Sequence, residues 1–230
     1  MDTSTLTLFG HQGSRSPLIN WACYELGFEI TVASDLSKNP HPFGQLPCLT
    51  DNNDVVIFES GAILLYLLQY YRSNDASSNL TMEQLASITS WIVWANASLD
   101  PICFLETPNG KVYDTGLRQP NRRVDQLNSI LTTQSYLVRN GNNESVFTIA
   151  DVAIVSYLAY VLQFFPDVTI ADKWPSIASY MQNCINRPTY GQAFTPATQN
   201  RLLNVLEKDI SNAGAAGSGG TKDKKLFGMF

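Results

Sequence analysis

Residues 44–67 read GQLPCLTDNNDVVIFESGAILLYL, and the order of events in this stretch decides the fold. Pro47–Thr50 and Val55–Phe58 are apolar runs of strand length, and Asp51-Asn52-Asn53-Asp54 between them is hairpin turn chemistry. From Ser60 to Tyr71 the period becomes helical, with Ile63, Leu64, Leu67 and Leu68 on one face. Two features do not serve a core. Pro47 removes a backbone donor at the mouth of a strand. Glu59-Ser60 put a carboxylate and a hydroxyl where the second strand becomes a helix.

Upstream, TLTLF before Gly10 reads as a strand, SRSPLINWACYEL (14–26) as a helix stopped by Gly27, and Phe28–Ala33 as a second strand. The order β-α-β, loop, β-β-α gives a small mixed sheet with helices packed on it, in roughly 70 residues. Beyond a polar linker the period is helical throughout, over 81–99, 119–138, 148–165, 174–186 and 198–211. The expected organisation is a small α/β domain (1–72), a linker (73–80), an all-α domain (81–211) and a mobile Gly/Ser-rich tail (212–230). One helix start is chemically marked. Thr148 stands as N-cap with Asp151 three residues on, and Phe147 and Val152 take the staple positions, a folding device rather than a catalytic one.

Composition narrows the function. Of 230 residues, 44% are hydrophobic and 15% charged, which describes a globular chain. The net charge of −5 and the lack of a basic cluster interleaved with aromatics argue against nucleic acid or anionic membrane as the main partner. Four scattered cysteines without a C-x-x-C, and only His11 and His41 as histidines, predict reduced thiols and no metal. The N-terminus carries no secretory pattern and Val152–Phe165 is too short to span a bilayer. A cytoplasmic or other reducing compartment is therefore expected.

These residues resemble the glutathione transferase family. Its proline-strand-turn-strand-ESxAI-helix run is similar to residues 44–67, its buried capping box to TIAD, and its W-P-x4-Y-x6-R-P signature to WPSIASYMQNCINRP. SRSPLINWACYELG and WANASLDP look most like the cyanobacterial and algal chi branch. The resemblance implies a thioredoxin-like α/β N-terminal domain, an all-α C-terminal domain and a homodimer. It also implies glutathione as co-substrate and conjugation of its thiolate to a small hydrophobic electrophile, with thiol-dependent peroxide reduction as a related activity.

Site residues follow from that resemblance together with local chemistry. A cis Leu46–Pro47 bond would turn the Leu46 backbone outward to pair with an extended ligand. Ser60, at a helix N-terminus, would receive the γ-glutamyl carboxylate, with Glu59 near the ammonium. Ser14 is implied as the hydroxyl donor to the thiolate, Arg15 as added positive potential and Ser16 as a second candidate. No tyrosine precedes Pro17 in that loop, and Cys23 lies too far along the helix to act instead. For the acceptor, Trp91, Trp94, Asn96 and Asp100 are the expected wall, with His11 and Gln12 opposite, although helix packing competes for the tryptophans.

One departure stands out. Between the second strand and GQLP the family usually carries a further helix, whereas SDLSKNPHPFG leaves room for one turn at most. Lys38, His41 and Gln45 are the residues left to meet the glycine carboxylate. A shallower, wetter thiol site and weak glutathione binding are expected. A non-catalytic protein-interaction module and an apolar-ligand carrier are the competing functions.

Overall fold

The computed structural model describes residues 6–52, 54–74 and 80–218. A four-stranded sheet in the order β2-β1-β3-β4 underlies the N-terminal part. Strand β1 (Leu6–Phe9) runs parallel to β2 (Thr31–Val32) and antiparallel to β3 (Cys48–Asp51), which forms a hairpin with β4 (Val55–Phe58). Leu6, Leu8 and Leu49 are buried beneath α1 (Ser16–Leu26) and α2 (Ser60–Asn74), which contribute Leu18, Ile19, Ile63, Leu64 and Leu67 to the same core. Gly27 ends α1 at φ 75°, a left-handed conformation that a residue without a Cβ adopts at no steric cost.

Two elements of this part are shorter than the sequence suggests. α1 starts at Ser16 rather than Ser14, leaving Ser14 in the turn before it. Only Thr31 and Val32 of the 28–33 run pair with β1, while Phe28 and Ile30 turn against the core. The segment before β3 holds a single 3₁₀ turn, Leu36–Lys38, capped by Asp35 accepting the Ser37 N–H at 3.0 Å. That is the reduction to one turn expected from Pro40 and Pro42.

The C-terminal part is a helical bundle. α3 (Met82–Trp94) begins with a Thr81/Gln84 capping box and runs through a π turn, Ala95–Leu99, into α4 (Asp100–Cys103). A hairpin of β5 (Leu105–Glu106) and β6 (Val112–Asp114) follows, then α5 (Arg122–Ile130) and a second hairpin of β7 (Val138–Arg139) and β8 (Ser145–Val146). The expected helix over 119–138 is thus cut to nine residues. The Thr132 and Thr133 hydroxyls donate back to the Ser129 and Ile130 carbonyls, at 2.7 and 3.2 Å, and the chain turns away there.

α6 (Ile149–Phe164) is the buried central helix, packed by α7 (Pro175–Ile185), α8 (Pro188–Phe194) and α9 (Pro196–Ser218). Helix α9 extends past the expected end at residue 211, and the tail beyond 218 lies outside the described residues. The α6 start is as the sequence predicts. Asp151 accepts the Thr148 N–H at 2.7 Å, and it also takes the Leu137 N–H and the Tyr180 hydroxyl at 3.0 and 2.9 Å.

Helix α1 belongs to both parts, packing on α2 from its own domain and on α6 and α8 of the bundle. Polar clamps hold it at both ends. Arg15 meets Asp100 at 2.5 Å, and Glu25 takes both arms of Arg187 at 2.7 and 2.6 Å. The space between the domains beside the start of α1 is the candidate site.

Candidate functional site

Two clefts adjoin at the Gly13-Ser14-Arg15 turn and Leu46, which line both. The first has a volume of about 380 Å³, within the range of small-molecule sites. His11 joins the shared turn there, His41, Gln45 and Pro47 come from the segment before β3, and Glu59 and Ser60 from the β4–α2 junction. Asn96, Asp100 and Tyr157 close it from the bundle. The Leu46–Pro47 peptide bond is cis.

At the β4–α2 junction the chain turns abruptly. Glu59 sits at φ 68°, a region uncommon for residues with a Cβ, and its carbonyl accepts the first helical bond from the Ile63 N–H at 2.9 Å. Ser60, 4% exposed, follows at the helix start. Its hydroxyl lies 3.1 Å from the Tyr157 hydroxyl and accepts from the Asn96 amide at 3.1 Å. Burial pushes the Tyr157 phenol up to about 12, so it stays neutral and able to donate. Tyr157 was not legible as a site residue, because α6 is apolar on every side and its tyrosines look like core.

At the other wall, the Ser14 hydroxyl donates to the His11 carbonyl at 2.8 Å or shares its proton with Ser16 Oγ at 2.6 Å. It also accepts the Ser16 N–H at 3.2 Å, as a cap would. Ser16 is 2% exposed and lines neither cleft; a Cβ on Gly10 would come within 1.8 Å of its oxygen, so it fills space under that loop. Arg15 is not a free cation. Burial opposes its charge, but Asp100 outweighs burial, and the guanidinium lies 5.5 Å from the Phe104 and Tyr157 ring centres. His41 is buried against Phe58, with its Nδ1 accepting the Phe43 N–H at 3.0 Å. Lys38 points its amine to Asp35, 3.9 Å away, and lines neither cleft.

The second cleft, about 400 Å³, departs from the expected acceptor wall. Phe104 and Val112 line one side, Tyr160, Gln163 and Phe164 of α6 another, with Gln12 and Arg201 completing it. Trp91 and Trp94 line neither cleft; they pack edge to face at 5.7 Å and form a separate groove with Leu127 and Ile130 of α5. Helical geometry explains this: at about 100° per residue, Asn96 lies roughly 140–160° around the helix from Trp91 and Trp94, so Asn96 and Asp100 face the first cleft while the tryptophans face α5. His11 likewise lines the first cleft rather than the second.

A thioredoxin-like sheet with a cis-proline edge, joined through one shared helix to a helical bundle, defines the glutathione transferase class of fold. Residues 4–69 match the glutathione S-transferase N-terminal domain and residues 88–188 the C-terminal domain, and the chain belongs to the glutathione S-transferase superfamily.

Among curated proteins, it is 25% identical over 173 residues to the glutathione S-transferase-like protein OpS6 of Beauveria bassiana, covering 70% of this chain and 76% of that protein. It is 24% identical over 176 residues to elongation factor 1-gamma of Carassius auratus, where the match covers 71% of this chain but only 36% of the factor. Among solved structures, glutathione transferase URE2P8 of Phanerochaete chrysosporium, with oxidized glutathione, aligns at TM-score 0.64 and 21% identity over 87% of this chain and 97% of that one. Ure2p5 of the same organism, cocrystallized with 1-(S-glutathionyl)-2,4-dinitrobenzene, aligns at TM-score 0.60 and 21% identity over 96% and 100% of the two chains. At these identities the structural likeness concerns the fold alone.

Proposed function

We propose that the protein is a glutathione transferase that joins the glutathione thiolate to small hydrophobic electrophiles. The observation that carries this reading is the pairing of a polar cleft with an aromatic one across the Ser14–Arg15 turn. Glutathione lies in the first cleft, its backbone along Leu46, its γ-glutamyl carboxylate at the Ser60 N–H and hydroxyl, and its ammonium near Glu59 and Asp100. Its sulfur then reaches the turn. The Ser14 hydroxyl rotates from the His11 carbonyl to donate to the sulfur, and the positive end of α1 favours the anion. The thiol proton leaves to solvent. The sulfur forms a bond to the electrophilic carbon held in the second cleft, and the leaving anion departs with the electrons of the broken bond.

The active unit proposed is a homodimer. Val55 and Val56 on the edge strand β4 are 46% and 39% exposed, an apolar edge that a second copy would cover. Four free, buried cysteines fit a reducing compartment, and the domain division proposed falls at 73–80.

A second reading, a non-catalytic interaction module, is favoured by two observations. The elongation factor 1-gamma relatives match over about a third of their length, and the single turn Leu36–Lys38 leaves the first cleft open. Conjugation of a chloronitroaromatic by the native protein, Ser14→Ala and Ser60→Ala separates the readings. The transferase reading expects native activity, a kcat lowered at least tenfold in Ser14→Ala and a raised KM for glutathione in Ser60→Ala. An inactive native protein removes it, and full rate in Ser14→Ala removes Ser14 as the activating group.

A further inference from the structure

Arg201 differs from the arginines that build the fold. Arg15, Arg118 and Arg187 each bind a carboxylate, of Asp100, of Asp114 and Asp167, and of Glu25. Arg201 has no ion pair or hydrogen bond among the described residues, yet it lines the aromatic cleft. Arg201 is exposed and solvated, but no protein carboxylate completes it, and an anion held in the cleft gains a charge-assisted, forked pair.

The other charges of the cleft do not complete it. Arg15 is neutralised by Asp100. Glu106 lines the same cleft but forms no ion pair or hydrogen bond with Arg201 among the described residues. The rings of Phe104, Tyr160 and Phe164 line the cleft as well. An aromatic lining, with Phe104 and Phe164 edge to face at 89°, beside one cation without a protein partner matches an aromatic ring bearing an acid group.

We propose that the second cleft selects aromatic acids, the ring packing on Phe104, Tyr160 and Phe164 and the carboxylate pairing with Arg201. As a statement about electrophiles this rests on the transferase reading; as a statement about binding it needs only the cleft. Exposure of Arg201 to water limits the preference to about fivefold over the neutral ester.

The test compares 4-chloro-3-nitrobenzoate with its methyl ester in native protein, Arg201→Gln and Arg123→Gln. Arg123 belongs to the separate Trp91–Trp94 groove and controls for ligands bound there. Affinity is read by displacement of an anionic anilinonaphthalene dye, and kcat/KM by chloride release with glutathione. The expected result is an affinity about fivefold higher for the acid than for the ester in native protein, lost in Arg201→Gln and kept in Arg123→Gln, with the acid-to-ester ratio of kcat/KM falling by the same factor in Arg201→Gln alone. An equal preference in native protein and Arg201→Gln, or one that follows Arg123, overturns the proposal. If neither compound is conjugated but displacement still favours the acid through Arg201, the binding proposal stands and the transferase reading falls.

Discussion

Replacing Glu25 with glutamine should loosen α1 from the bundle while leaving the side-chain volume unchanged. The Glu25 side chain is 8% exposed, and its two oxygens receive Arg187 Nε at 2.7 Å and Nη2 at 2.6 Å. The first oxygen also accepts Trp21 Nε1 at 3.1 Å and the Thr189 hydroxyl. A glutamine supplies one acceptor oxygen and no charge, so the fork breaks. A charge-assisted bond of this kind contributes about 1.5–3 kcal/mol. Arg187 is 35% exposed and keeps its place over the Phe147 ring at 3.9 Å, so water and the ring recover part of the loss. The net expectation is about 2 kcal/mol, which at a urea slope of about 3 kcal/mol/M moves the midpoint down by about 0.7 M.

Urea unfolding at fixed protein concentration measures this, and a double-mutant cycle with Arg187→Met isolates the pair. A coupling of about 1–2 kcal/mol is expected. A midpoint shift under about 0.2 M together with a coupling near zero would show that the clamp does not hold the domains together.

The same carboxylate gives a pH signature. Burial works to raise the Glu25 pKa, but hydrogen bonds from Arg187 and Thr189 outweigh it, and the folded value lies below the ordinary 4.5. Its stabilisation is therefore complete above pH 4.5 and lost as pH falls through the lowered value. Denaturation curves below that pH should converge for native protein and Glu25→Gln, and a constant gap would refute the assignment. Tyr157→Phe removes the hydroxyl beside Ser60 from the wall of the first cleft. Glutathione affinity should weaken about three- to tenfold, with a stability loss of about 1 kcal/mol, by calorimetry and thermal melting. Unchanged affinity would mean that Ser60 needs no help from α6.

What was legible in the sequence is what local chemistry decides. The β3-turn-β4-α2 run, the Gly27 stop and the Thr148/Asp151 cap each declare themselves within a few residues, and the prolines at 40 and 42 exclude a full helix before Gly44. The first cleft was readable for the same reason, since His41, Gln45–Pro47 and Glu59-Ser60 lie close together in sequence. The second cleft was not. Its wall gathers Gln12, Phe104, Val112, Phe164 and Arg201 from five places in the chain, a tertiary fact with no local signal. The tryptophans and Asn96 cannot share one wall, because at about 100° per residue they stand on opposite sides of the same helix, a periodicity the sequence already carries. Ser16, the second candidate after Ser14, lies buried beneath Gly10, which only the fold shows. The 119–138 pattern stopped at residue 130 because the threonines that follow bond back to the last carbonyls.

The central claim is that the open first cleft holds glutathione at Ser60, and weakly, because one turn replaces the segment that would cover it. Calorimetric titration of glutathione into native protein and Ser60→Ala tests it most directly. The expected dissociation constant is about 0.1–1 mM for the native protein, with binding heat lost in Ser60→Ala. Submicromolar binding, or binding of native strength in Ser60→Ala, would contradict it.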